Sequence, residues 1–446
     1  MDVDKVNPFP KALENCLTLF KDGEKRNELK FIIRSVRMFK ILRKIMNEDS
    51  KFATSHLSAF STLVAQFLNI PAEVNCSYGI EVLTATLLLI HLIDTKNSKA
   101  MPFAVALVNS LPKNFYCRLV DRLVSEIYFY YARAHDLANQ METIEKSFME
   151  LYQLAFTRAM PMTQAVAVNA VLRYLCMKRQ FSKASIWIKT AQFPNNEVSN
   201  AQQARYLYYY GITLAVELEY SESQEKLSQA TRKVPQNPNM ALGFKLAVTK
   251  MAVIVELLMG DIPQRMIFTA PKTKHALAPY ESLVLAVKGG SLEKFAKVVD
   301  EHNSLFESDG TAFLVHRLRH NVIKAGLRLT NLAYSTISFN DIASKLKIEG
   351  DVIGIVAKAI HDGVIEATLD YDKGILISKN TEDLYSTNEP QNALHKRILF
   401  CLQLYADAVK GMVYAEEEVR APPPKPVLTE QELLEMDHDD LEPDIL

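Results

Sequence analysis

Residues 351–378 read DVIGIVAKAIHDGVIEATLDYDKGILIS. Apolar residues at helical spacing run from Asp351 to His361, and Gly363 ends that helix. Two short apolar runs follow, Val364–Leu369 and Ile375–Ser378, around a turn containing Asp372-Lys373-Gly374. Asp-Lys-Gly between two such runs predicts a β-hairpin. Upstream, Ala312–Leu332 has a helical pattern. Ser338 starts another helix, with Asp341 three residues on, a capping-box-like arrangement. Helix, helix, helix, hairpin is the order of a winged helix, here predicted over residues 311–380.

The chain before it is helical in period. Leu29–Met46 is amphipathic, and Glu81–Ile93 is apolar enough to be buried. Arg118–Leu137 and Thr143–Met160 complete an N-terminal helical region, residues 1–160. Thr163 is the expected cap of the next helix. Over residues 161–310 a repeat emerges. Thr163–Lys178 pairs with Lys183–Ala191, and Ala201–Leu218 with Glu222–Lys233. The turns Phe181-Ser182-Lys183-Ala184 and Tyr220-Ser221-Glu222-Ser223 lie 39 residues apart. In each, the aromatic should close the first helix, the serine cap the second, and the small residue admit close approach. A period near 39 fits a helical-pair solenoid of the tetratricopeptide or HEAT kind. Met240–Met259 begins a third pair. The register breaks at Gly260, Pro263 and Pro271, and shorter helices follow at Tyr280–Val287 and Leu292–Asp300.

After the hairpin, residues 384–415 hold one long helix. Its apolar positions Leu394, Ile398, Leu402, Tyr405, Val409 and Met412 form a seam suited to a helix bundle. Ala421–Pro426 stops any helix, and residues 416–446 read as an acidic, disordered tail. The fold class is therefore dominated by α-helix. It is a tetratricopeptide-like solenoid followed by a winged-helix module with a small hairpin, and then a long C-terminal helix.

Composition agrees. Glycine accounts for 14 of 446 residues, which suits helices and disfavours glycine-rich phosphate cradles. The net charge of −1 conceals an acidic tail and a mildly basic body. Five scattered cysteines form no CxxC pair, which fits a reducing compartment and argues against zinc or disulfides. The N-terminus has no signal-peptide pattern, and no apolar run reaches the ~18–20 residues that span a bilayer. Cytoplasm and nucleus are the expected locations.

No chemistry-bearing motif survives inspection. His316 and His320 lie four apart on one helix face, but Arg317 stands where a zincin carries its glutamate. His320, Lys324 and Arg328 continue that face as a polar ridge, either an interface stripe or a solvated face. Neither a Walker loop nor a dinucleotide fingerprint is present, so no cofactor, metal or catalytic residue is expected. Cys176 reads as core. As a DNA reader the third helix of the winged helix is poor: only Lys358 and His361 could donate, and Asp351 would repel phosphate. The run Ile375, Leu376, Ile377 suits sheet extension by a neighbour, or ordinary core. Tyr206, Tyr208, Tyr209 and Tyr210 could stack on bases, but such positions usually pack between paired helices.

A solenoid running into a winged helix is the layout of PCI-domain scaffold subunits of the proteasome lid, the signalosome and a translation initiation factor complex. The stretches Ala204–Gly211 with Glu219–Glu222, Val255–Pro263, Arg317–Lys324, Val356–Ala367 and Tyr385–Gln391 closely resemble the proteasome-lid branch of that family. The resemblance is strongest over about residues 200–405. It implies a non-catalytic structural subunit of the 26S regulatory particle that organises its neighbours for ubiquitin-dependent degradation. It further implies side-by-side pairing of winged helices through Ile375–Ile377 and a bundle role for Leu394–Met412. The implied partners are PCI neighbours, a metal-dependent deubiquitinase subunit and a small acidic lid subunit. The alternatives are a scaffold in either sister complex, or a nucleic-acid-binding winged-helix protein.

Overall fold

The computed structural model describes residues 8–48, 57, 64, 77–138, 140, 144–235, 237, 240–347, 350–379 and 384–412. The acidic tail predicted from residue 416 lies outside the described residues. The chain divides into two units, Met1–Ser378 and Lys379–Leu446.

In the first unit, α1 (Pro8–Arg26) packs on α2 (Leu29–Glu48), and α3 (Tyr78–Asp94) and α4 (Ala100–Ser110) lead into α5 (Asp121–Leu137) and α6 (Ile144–Thr157). Helix α3 is buried almost throughout, as its leucine-rich run predicts. The helix pairs follow: α7 (Pro161–Met177) with α8 (Phe181–Thr190), then α9 (Asn200–Val216) with α10 (Tyr220–Lys233). Helices α11 (Leu242–Met259), α12 (Met266–Thr269), α13 (Lys274–Lys288) and α14 (Leu292–Ser308) complete this region. One continuous core runs from Phe9 to Ala191 and a second from Ala215 to Val322.

Three expected caps are corrected. Thr163 does not start its helix. α7 begins at Pro161, where the missing N–H costs nothing. The buried carboxylate of Asp121, from α5, accepts from the N–H groups of Met162 and Thr163 at 2.9 Å each, and from the Thr163 hydroxyl at 2.7 Å. One helix thus caps another. Ser182 and Ser221 do not cap either, because α8 and α10 begin one residue earlier, at the aromatic. The backbone makes the repeat instead. Arg179 (φ 57°) and Leu218 (φ 77°) occupy the left-handed region at equivalent places. The next N–H, of Gln180 or Glu219, returns to the carbonyl of Leu175 or Leu214. That is a Schellman-type helix end. The small residues do admit close approach. Ala184 and Ser223 are fully buried, and the Ser223 hydroxyl donates to the Gly211 carbonyl at 2.7 Å.

Helix α15 (Ala312–Ala333) runs from the solenoid into the winged helix, which comprises β1 (Thr336–Ser338), α16 (Phe339–Leu346), α17 (Val352–His361), β2 (Ala367–Asp370) and β3 (Ile375–Ser378). Ser338 caps α16: its hydroxyl accepts from the Asp341 N–H and donates to the Asp341 carboxylate. Asp351, read above as a residue that repels phosphate, caps α17 through the Gly354 N–H at 3.0 Å. The sheet has three antiparallel strands in the order β1-β3-β2, not the two of a simple hairpin. Three residues are too few for β1 to show an alternating pattern. Their place is held from outside, by the Ser378 N–H donating to the Ser335 carbonyl and the Ser378 hydroxyl to Asn331. Solenoid and winged helix meet at a pair of glycines. A Cβ on Gly290, itself at φ 61°, would lie 2.5 Å from the Gly326 Cα.

The second unit holds a short 3-10 turn (Leu384–Ser386) and α18 (Glu389–Met412), none of whose residues is buried.

Candidate subunit interfaces

Helices α5, α7, α9 and α11 contact one another in succession and line a groove of about 900 Å³, bounded further on by α14 and α15. Three of the four bring an arginine to it: Arg133 from α5, Arg173 from α7 and Arg205 from α9. Arg179 joins from the α7–α8 turn. The acidic groups in the groove are already engaged. Asp136 holds Arg173 at 2.5 Å. Asp309 accepts from Lys250 at 2.6 Å and from the Tyr280 hydroxyl at 2.9 Å. Arg205 lies 4.6 Å over the Phe129 ring and pairs with no carboxylate among the described residues. Burial lowers its pKa, a sign of a cation held partly out of water. Beside it, the buried Asn169 donates to the Gln202 backbone and side-chain oxygens at 3.0 and 2.9 Å, while its own Oδ1 has no partner among the described residues. Burial raises the phenol pKa values of Tyr208 and Tyr209, so both stay neutral. A cationic floor with aromatic walls suits an extended segment that mixes carboxylates with apolar side chains. Burial pushes the Cys176 thiol in this groove up to about 12, so it stays protonated.

Sequence reading missed this groove because it weighed the turns, where the repeat shows, and not the inner helices. The available signal was one arginine on the first helix of successive pairs.

The predicted ridge on α15 divides. Lys324 pairs with Asp362 at 2.9 Å, and the Arg328 Nε donates to the Val364 carbonyl at 3.3 Å. Both therefore fasten α15 to the segment after α17. His316 and His320 remain exposed. Partial loss of hydration, with Lys324 and Lys358 close by, lowers the His320 pKa. Among the described residues no group of three potential ligands could hold a metal.

The sheet-extension reading of Ile375, Leu376 and Ile377 is also corrected. β3 is the central strand, with both of its ladders filled, and Leu376 is buried. Open edges belong to β1 and β2. Ile377 keeps 36% of its surface, so it can meet a neighbour only through its side chain.

On α18 the six seam residues are exposed, from Val409 at 42% to Met412 at 75%. Phe400 and Leu404, which the seam left out, are equally bare. They stand with Ala393 and Ala408 in a second row, seven, four and four residues apart, which widens the apolar surface beyond the seam alone.

Three family models match successive parts of the chain. A model described as "PSMD3-like, N-terminal TPR repeats" matches residues 68–284. A PCI domain matches residues 299–380, and a model of the C-terminal part of a proteasome regulatory subunit matches residues 383–441. The 26S proteasome non-ATPase regulatory subunit 3 of Dictyostelium discoideum is 38% identical, over 91% of this chain and 88% of its own. A probable subunit 3 from Nicotiana tabacum is 38% identical over 90% and 86%. One from Anopheles gambiae is 42% identical over 69% and 64%. On this footing the chain belongs to the family of 26S proteasome non-ATPase regulatory subunit 3.

Proposed function

We propose that this chain is a structural subunit of the 26S proteasome regulatory particle. It holds its neighbours in place for ubiquitin-dependent degradation and carries no catalytic step of its own. One observation supports this most directly: α18 presents a wide apolar surface of which none is buried. Burying a large apolar side chain is worth ~1.5–3 kcal/mol, so this helix holds assembly energy in reserve. It joins a helix bundle with neighbouring lid subunits. The winged helix meets its PCI neighbours through the β1 or β2 edge and through Ile377. Together these contacts place the metal-dependent deubiquitinase subunit. The groove around Arg205 receives the small acidic lid subunit, whose carboxylates would meet Arg133, Arg179 and Arg205, none of which pairs with a carboxylate among the described residues. The complex works in cytoplasm and nucleus, and no described helix is long and apolar enough to cross a membrane.

The deciding experiment is purification of a tagged chain from its native cells at moderate salt, with mass spectrometry of what accompanies it. Lid subunits in fixed stoichiometry are expected. A lone chain, or one bound to nucleic acid, overturns the reading. For the groove, Arg205→Glu should release the small acidic subunit while the remaining lid subunits stay bound. Unchanged recovery of that subunit removes the groove from the account.

A further inference from the structure

The second apolar row of α18 has one member out of character. Ala393, Arg397, Phe400, Leu404 and Ala408 follow one another at spacings of four, three, four and four, the pattern of one continuous seam. Arg397 occupies a place where that seam calls for an apolar side chain. Its neighbours on the helix surface, three and four residues away in both directions, are Ala393, Leu394, Phe400 and Cys401. No carboxylate stands at any of those positions, so its own helix offers it no ion pair. No other charged residue of α18 is enclosed in this way. Asp407 has Lys410 three residues on, and Lys396 has the polar Asn392 one turn before it. Phe400 (66% exposed) and Leu404 (58%) sit directly C-terminal to Arg397. A helix that covers those two and continues along the row toward Ala393 also passes over Arg397.

A buried guanidinium without a partner is costly, whereas a paired one fixes which residues face each other. We propose that Arg397 sets the register of this interface. The helix covering the row of Phe400 and Leu404 comes from a neighbouring subunit and brings an aspartate or glutamate opposite Arg397, and this pair admits only one alignment of the two helices. The inference rests on the assembly role of α18 stated above and adds to it the chemistry of the partner. Apolar contact supplies the attraction between these helices. A sliding apolar seam has several near-equal alignments, and one buried charge pair removes all but one of them.

The test uses cells whose only copy of the chain is the tagged wild type, Arg397→Lys, Arg397→Met or Arg397→Glu. The readout is the ratio of each lid subunit to the tagged chain. Arg397→Glu sets two carboxylates face to face and should lower recovery of the partner at least tenfold. Arg397→Met keeps the bulk but strands the partner's carboxylate, and should cause a smaller but clear loss. Arg397→Lys should keep most of the assembly. Thermal unfolding of the chain should not change in any of them, since α18 buries nothing on its own. A photo-crosslinking residue at 397 should label a helical peptide with Asp or Glu within one turn of the attachment point. Wild-type recovery with Arg397→Met and Arg397→Glu overturns the assignment, as does a crosslink to a peptide without an acidic residue. Failure of the wild-type chain to recover any lid subunit overturns the assembly role itself, a distinct outcome.

Discussion

Helices α3 and α18 are both rich in leucine and other large apolar residues. From Gly79 to Ile93 nearly every residue of α3 is buried, whereas α18 buries none. The same side chains thus serve two ends. In α3 they stabilise the chain that carries them, and in α18 they remain available to another chain. Their patterns differ accordingly. α3 is apolar all round and has only Glu81 and the terminal Asp94 as acids, as befits a helix enclosed on every side. α18 keeps a polar strip of Asn392, Lys396, Gln403 and Lys410 opposite its apolar rows, so only part of its circumference is apolar.

The contrast is broken most directly by a pair of substitutions. Phe148→Ala, in the fully buried core, should cost ~3–5 kcal/mol by denaturant unfolding. Leu402→Asp should leave the unfolding curve in place yet abolish recovery of lid subunits. A Leu402→Asp chain that unfolds early, or that assembles at wild-type yield, would erase the distinction. A second substitution sharpens it at the junction of solenoid and winged helix. A side chain at Gly326 would reach within 2.7 Å of the Gly290 carbonyl oxygen and 2.6 Å of Leu346. Gly326→Ala should therefore cost ~1–3 kcal/mol, while Gly411→Ala in α18, with open space around it, should cost nothing. Unfolding midpoints measured side by side decide it.

The solenoid, the three helices of the winged helix and α18 were legible because each is long, periodic and bounded by turn residues. The losses have physical causes. β1 is three residues long and is held in place by Asn331, Ser335 and Ser378, so nothing within it signals a strand. Without β1, β3 reads as a strand with a free edge, and the wrong mechanism followed for Ile375–Ile377. Thr163 looks like a cap by type and position, but the actual acceptor is Asp121, far upstream, and only the packing of α5 on α7 joins them. Lys324 and Arg328 share a face with His320, yet Asp362 and Val364 come to meet them only once the winged helix has closed on α15. Local pattern reports helices well, but it does not report which polar groups find each other across the fold.

Two further measurements probe the polar side of the body. Asp121→Ala removes the acceptor for two N–H groups and a hydroxyl, and should cost ~1–3 kcal/mol in denaturant unfolding. Asp121→Asn keeps an acceptor oxygen and should cost less. The buried His91 and His135 should give a smaller, pH-dependent effect. Burial lowers both pKa values, so the folded chain resists protons that the unfolded chain takes up. Their contribution is complete above the unfolded value, near pH 6.5, and is lost as pH falls from there toward the folded values. The melting temperature should drop between pH 7.5 and 5.5. It should drop less in a His91→Leu, His135→Gln chain, and an identical slope would exclude these histidines as the cause.

The smallest effect lies in the repeat itself. Arg179 and Leu218 hold left-handed backbone without being glycine, which costs roughly 1–2 kcal/mol each relative to the right-handed region. Glycine would relieve that strain but widens the unfolded ensemble, so Arg179→Gly and Leu218→Gly should each shift stability by less than about 1 kcal/mol. Alanine cannot relieve it and gives up the side chain as well. The two turns should respond alike, because the same hydrogen bond closes both, from Gln180 to Leu175 and from Glu219 to Leu214. Divergent responses would mean that the turns are equivalent in shape only, with side-chain contacts deciding their stability. Arg179 borders the groove and Leu218 does not. A loss of acidic-subunit binding confined to Arg179→Gly would therefore set the assembly role of that residue apart from its role in the fold.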